Sequence, residues 1–173
     1  MTRFFVGIAG VALGCAALHA QDNPLSTETK GLYTMVKNNI IKSAQKMPEE
    51  NYSFKPTPAV RSFGQLIAHV ADSQYEFCGP VKGEQKSPDI EKTVTGKAEL
   101  ISALQTAFAY CDAVYDSLTD AHAADKIKFF GGNRTKLGTL NFNTAHADEH
   151  YGNIVTYMRM KGLVPPSSES GGQ

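Results

Sequence analysis

Four stretches of the chain place apolar residues three and four positions apart, the period of an amphipathic helix, and no long stretch alternates as a half-buried strand does. The first, from about Ser26 to Met47, carries the row Leu32, Val36, Ile40, Ala44 and Met47 and is stopped by Pro48. The prolines between Pro48 and Pro58 exclude helix from the linker that follows. The second helix begins at Ser62, which with Gln65 reads as a capping box. It sends Phe63, Leu66, Ile67, Val70, Ala71 and Phe77 to one side before Gly79-Pro80 closes it. The third, about Lys97 to Leu118, has the cleanest period: Leu100, Ile101, Leu104, Ala107, Phe108, Cys111, Val114, Tyr115 and Leu118. The fourth follows Gly138-Thr139 and ends at Lys161, with Gly162 as its cap and Pro165-Pro166 beyond.

An all-α four-helix bundle follows from this pattern. The connection from Pro80 to Gly96 is long for an antiparallel hairpin and predicts a crossover between parallel second and third helices. Between the third and fourth helices, Ile127 to Lys136 suits a short hairpin around Gly131-Gly132-Asn133, placed to flank a site on the fourth helix.

Composition narrows the role. The 173 residues are 42% hydrophobic, enough for one domain with its own core. Seventeen Lys and Arg balance seventeen Asp and Glu, which leaves no electrostatic footprint for nucleic acid or acidic lipid. Arg3 followed by the apolar run Phe4 to Leu18 has the length of a signal peptide rather than of a stable membrane span. The expected division is therefore a signal over 1–20, a domain over 21–166 and a disordered tail over 167–173, in an exported, periplasmic or secreted protein. The run Ala12-Leu-Gly-Cys15 loosely resembles a lipobox, so lipoprotein anchoring is a second reading. Beyond the signal, Cys78 and Cys111 have two readings: a disulfide formed in an oxidising compartment, or two small buried thiols.

The candidate chemistry lies in histidines. His146 and His150 are four residues apart, on one face of the fourth helix with Cβ atoms about 5–6 Å apart. By itself such a pair reads better as two buried, hydrogen-bonded imidazoles than as metal ligands. His69, on the second helix, adds a third ring and makes a transition-metal site with an open coordination position the better reading. His19 falls in the signal, and His122 in an Ala/Asp-rich loop. The run His146-Ala-Asp-Glu-His150 matches the H-x-x-E-H protease pattern, in which Glu149 would be a general base. That pattern needs a further acidic ligand downstream, and the sole acid after His150 is Glu169 in the tail. Asp72, Glu149 and Tyr151 are candidates to orient an imidazole or a substrate.

The His69 segment, the later His146-x-x-x-His150 and the closing run Tyr151-Gly-Asn-Ile-Val-Thr-Tyr-Met-Arg159-Met-Lys-Gly162 resemble the DinB-like (YfiT-like) metalloprotein superfamily, as does the lead-in Phe54-Lys-Pro-Thr-Pro58 with Arg61-Ser-Phe-Gly64. The resemblance spans about Ser26 to Pro166 and implies an up-down-down-up bundle whose histidines, at His69, His146 and His150, hold a divalent metal such as zinc or nickel. Parallel second and third helices would set Cys78 and Cys111 at similar heights and favour their pairing. Arg159 recurs with the family's closing helix, where capping the helix end and contacting a ligand are both open to it. The family includes thiol-dependent transferases and isomerases, so the chemistry implied is metal-dependent hydrolysis or thiol transfer on a small molecule, with a homodimer as one assembly. The alternative is a non-enzymatic periplasmic bundle that binds or protects, with structural metal or none.

Overall fold

The structure, a computed structural model, describes residues 22–169. The expected signal segment and residues 170–173 lie outside the described residues. Helix α1 spans Pro24–Lys46, with Pro24 in the first turn, where its missing N–H costs nothing. The Asp120 carboxylate caps it from across the bundle, accepting from the Leu25 and Ser26 amides at 3.1 and 2.8 Å. Its buried seam runs through Ser26, Thr29, Tyr33, Val36, Ile40, Ser43 and Ala44, while Leu32 is 57% exposed. A row of i+4 steps drifts about 40° per step at 3.6 residues per turn. Counting back from Ala44 in fours therefore reaches Leu32 where the true seam holds Tyr33.

Helix α2 spans Phe63–Lys82, and the expected capping box is present: Gln65 N donates to Ser62 Oγ, and Ser62 N to Gln65 Oε1. Gly79-Pro80 does not end it, contrary to expectation. The helix runs two residues past Pro80 and closes at Gly83, in the left-handed region at φ 84°. Proline forfeits one hydrogen bond, which the last turn tolerates. Gly79 matters for another reason: a Cβ there would lie 2.9 Å from the Glu84 carbonyl oxygen, where the chain folds back. The short helix α3, Ile90–Thr93, occupies the long connection. Helix α4 spans Lys97–Ser117 and α5 spans Lys136–Met160, with Thr135 accepting from Gly138 N at the start of α5. Strands β1, Lys126–Phe129, and β2, Gly132–Thr135, form the hairpin with Phe129 opposite Gly132, so its two turn residues are Phe130 and Gly131. Both have positive φ, 46° and 76°, as a two-residue turn requires.

Helices α1 and α2 each pack on both α4 and α5. Tyr33 stacks on Tyr115 and Lys97 donates to the Met47 carbonyl, so α1 and α4 are antiparallel. Tyr75 meets Tyr110, and Cys78 is disulfide-bonded to Cys111 with Cα atoms 5.5 Å apart, so α2 and α4 are parallel. Phe77 meets Phe142 and Tyr157 reaches the Arg61 carbonyl, so α2 and α5 are antiparallel. The path is up-down-down-up. The core holds Tyr33, Ile40, Met47, Phe63, Ile67, Leu100, Leu104, Phe108, Leu140, Ile154 and Met158. Beside the disulfide, the buried Asn143 Nδ2 donates to Gln74 Oε1 and to the Tyr115 hydroxyl. No helix among the described residues is long and apolar enough to cross a membrane.

The chain after α5 is held further than a disordered tail from 167 allows. The Tyr151 hydroxyl donates to Ser167 Oγ at 2.7 Å, Arg159 Nη2 donates to Ser168 Oγ at 3.0 Å, and Lys46 pairs with Glu169. Arg159 is thus a tether for the following turn, Pro166–Ser168.

The disulfide closes a loop of 33 residues, and loops of that size constrain the unfolded chain by about 3–4 kcal/mol. Cys78→Ala/Cys111→Ala is expected to lose about 2–4 kcal/mol of urea stability while keeping its helical circular dichroism. An unchanged urea midpoint would show that the bond contributes nothing to the fold.

Candidate metal centre

Because α2 and α5 run antiparallel, the middle of α2 faces the middle of α5, and His69 meets the pair that one helical turn aligns on α5. Ring centroids lie 4.3 Å apart for His146 and His150, 4.7 Å for His69 and His150, and 5.3 Å for His69 and His146. One ring nitrogen from each residue lies within 4.8 Å of the others. The Nε2 atoms of His146 and His150 are 3.1 Å apart. Two nitrogens each about 2.0–2.1 Å from one ion sit about 2.9 Å apart at a right angle and about 3.3 Å apart at a tetrahedral angle. The observed spacing falls between these values.

Their protonation also fits. Burial first, and then the neighbouring imidazoles, lower both His146 and His150 to about 4. His69 is lowered by burial, then by the Arg61 guanidinium and His146. Three neutral rings with lone pairs turned toward one point are suited to a cation. The buried Nδ1 atoms of His146 and His150 have no hydrogen-bond partner among the described residues. His69 differs, because its Nδ1 lies 3.5 Å from Glu91 Oε2. That carboxylate favours the tautomer with the proton on Nδ1 and the lone pair on Nε2.

Glu91 was not legible in the sequence. It arrives on α3, and α3 is placed by Asp72, whose carboxylate accepts from the Ile90 and Glu91 amides at 2.8 and 2.9 Å. Asp72 therefore orients the carboxylate that faces His69 and does not face the imidazole itself. Of the other two orienting candidates, Glu149 is exposed and its carboxylate makes no hydrogen bond among the described residues, although its charge raises His146 and His150 against burial. Tyr151 is turned to the Ser167 tether. Two walls flank the rings, one of them backed by the hairpin expected beside the site. On one side Phe77 meets His146 edge-on at 5.0 Å and Phe142 stacks at 6.5 Å, with Phe129 and Phe130 of the hairpin behind and Arg134 over Phe129 and Phe142. On the other, an open cleft of about 780 Å³ is lined by Arg61, Gln65, Glu91, His150 and Asn153.

A family model described as the DinB superfamily matches residues 32–154. The uncharacterised protein YjoA of Bacillus subtilis is 26% identical over 122 residues, which are 69% of this chain and 79% of YjoA. The YjoA crystal structure superposes with a TM-score of 0.66 at 23% identity, over 79% of this chain and 93% of that one. A DinB-like protein from Bacillus cereus ATCC 10987 gives a TM-score of 0.71 at 18% identity, over 81% and 95%. YfiT from Bacillus subtilis, described as a probable metal-dependent hydrolase with an unusual four-helix bundle topology, gives 0.63 at 14% identity, over 83% and 91%.

The lowered imidazoles have a consequence for the metal-free protein. The unfolded chain protonates its histidines near the ordinary value of about 6.5, whereas folded His146 and His150 wait until about 4. Between those values the unfolded state holds more protons, so stability falls as pH falls. Urea midpoints of chelator-treated protein are expected to drop from pH 7 to pH 4.5, and His146→Leu/His150→Leu should flatten that slope. Equal slopes in both proteins would mean that these rings are not held neutral.

Proposed function

Because the chain belongs to the DinB superfamily and folds three imidazoles around one point, we propose that it is a metal-dependent hydrolase of a small-molecule substrate, with a divalent ion held by His69, His146 and His150. The observation that carries this reading is the convergence of three neutral ring nitrogens within 4.8 Å, flanked by buried Nδ1 atoms without partners among the described residues. Zinc and nickel are the ions proposed, since both accept imidazole. A divalent ion on three neutral ligands keeps its full charge and supplies Lewis-acid activation of water or of a substrate oxygen.

The chain's own residues do the rest. Glu91 holds the His69 proton on Nδ1, and Asp72 holds Glu91 through α3. Phe77 and Phe142 keep solvent from the His146 side, and the cleft beside His150 admits substrate. Among the described residues the group has three members, short of the four protein ligands that usually close a structural site. That supports an exchangeable position and an enzyme over a purely structural metal. The disulfide supports an oxidising, extracytoplasmic setting, and with it the export proposed from residues 1–20. Low-molecular-weight thiol cofactors belong mainly to the cytosol, so hydrolysis is favoured over thiol transfer.

Elemental analysis of untagged protein is expected to find about one zinc or nickel per chain, and none in His146→Ala/His150→Ala. No metal in the wild type, even after reconstitution, would overturn the proposal. Chelation should leave the helical circular dichroism intact and lower the thermal midpoint only modestly, because the apolar core and the disulfide are independent of the ion. Unfolding on chelation would instead make the metal structural.

A further inference from the structure

The cleft beside His150 carries a guanidinium whose anion-binding edge is unused. Arg61 is anchored at two points: its carbonyl accepts from the Tyr157 hydroxyl at 2.7 Å, and its Nε donates to Glu91 Oε1 at 2.8 Å. Its terminal nitrogens make no hydrogen bond among the described residues, and its side chain is 42% exposed on the cleft wall.

The amides that open α2 offer no competing anion site. At the start of α2, Ser62 N donates to Gln65 Oε1, Phe63 N to the Phe54 carbonyl, Gly64 N to the Tyr52 carbonyl and Gln65 N to Ser62 Oγ. Every amide that commonly cradles a phosphate is thus engaged. The one other cation on the cleft lining is Lys55, on the exposed Pro-rich loop. A single planar fork, already sharing its charge with Glu91, matches a monoanionic carboxylate better than a phosphate dianion. The cleft volume of about 780 Å³ suits a small molecule.

We propose that the substrate is a small-molecule carboxylate, gripped by the terminal nitrogens of Arg61 while its reacting group extends toward the three histidines. This rests on the metal reading of the site, and it names the class of compound that site takes.

The test compares N-acetylglycine with its uncharged analogue N-acetylglycinamide, titrated by NMR into metal-loaded wild type, Arg61→Gln, Arg61→Lys and Glu91→Gln, with metal content measured in each sample. Wild type is expected to bind the carboxylate at least tenfold more tightly than the amide. Arg61→Gln should bring the two within about twofold, Arg61→Lys should fall between, and Glu91→Gln, which frees the guanidinium, should keep the preference. No carboxylate preference in wild type overturns the proposal. So does a tenfold preference surviving in equally metallated Arg61→Gln, since the anion would then be held by the metal alone. Failure of the wild type to load metal is a different result: it removes the hydrolase reading, and the same probe pair on metal-free protein then decides whether Arg61 selects carboxylates by itself.

Discussion

Three imidazoles pressed together in a half-buried seam between antiparallel helices are the constraint around which the site is arranged. Each ring gives up water, and two buried Nδ1 atoms find no partner in exchange among the described residues. Unsatisfied buried groups of that kind cost about 1–3 kcal/mol apiece. The fold carries this cost because the rest of the seam is apolar and closely packed, with Ile67, Leu140, Ile154 and Met158 fully buried on the same two helices. The aromatic wall of Phe77 and Phe142 shields one side of the rings and lowers the polarity around them. That same environment keeps the imidazoles neutral, and a neutral imidazole is the form that coordinates a cation.

The crossover between α2 and α4 supplies what the two histidine helices lack. Parallel helices require a long connection, and here the connection carries α3 back across α2 to the Asp72 cap. The result is a chain of contacts from Asp72 to Glu91, and from Glu91 to both His69 and Arg61. One carboxylate therefore links the His69 ring to the cation on the cleft wall. The same parallel arrangement brings Cys78 and Cys111 to one level, so the disulfide and the placing of Glu91 are two consequences of one topology.

The helices were legible because burial imposes a 3.6-residue period, and His69, His146 and His150 were legible because that period places them on facing sides. What failed to appear in the sequence depends on distant contacts. Leu32 and Tyr33 are adjacent in sequence, and only the accumulated rotation of the seam decides which is buried. Pro80 reads as a stop, yet the left-handed Gly83 three residues later is the actual end of α2. Asp72 and Tyr151 lie close to the histidines in sequence, but an α3 amide pair and a C-terminal serine claim their oxygens. Glu91 carries no local motif, and Arg61 stands out only as part of the family-like lead-in. Their roles exist only once α3 and the segment before α2 are folded against each other.

The proposed ligation of one divalent ion by His69, His146 and His150, with a position left for solvent or substrate, is open to direct measurement. X-ray absorption at the metal edge of the reconstituted protein tests it most directly. A shell of three imidazole nitrogens at about 2.0–2.1 Å plus one or two light exchangeable ligands is expected. Sulfur in the shell, or fewer than three imidazoles, would contradict it.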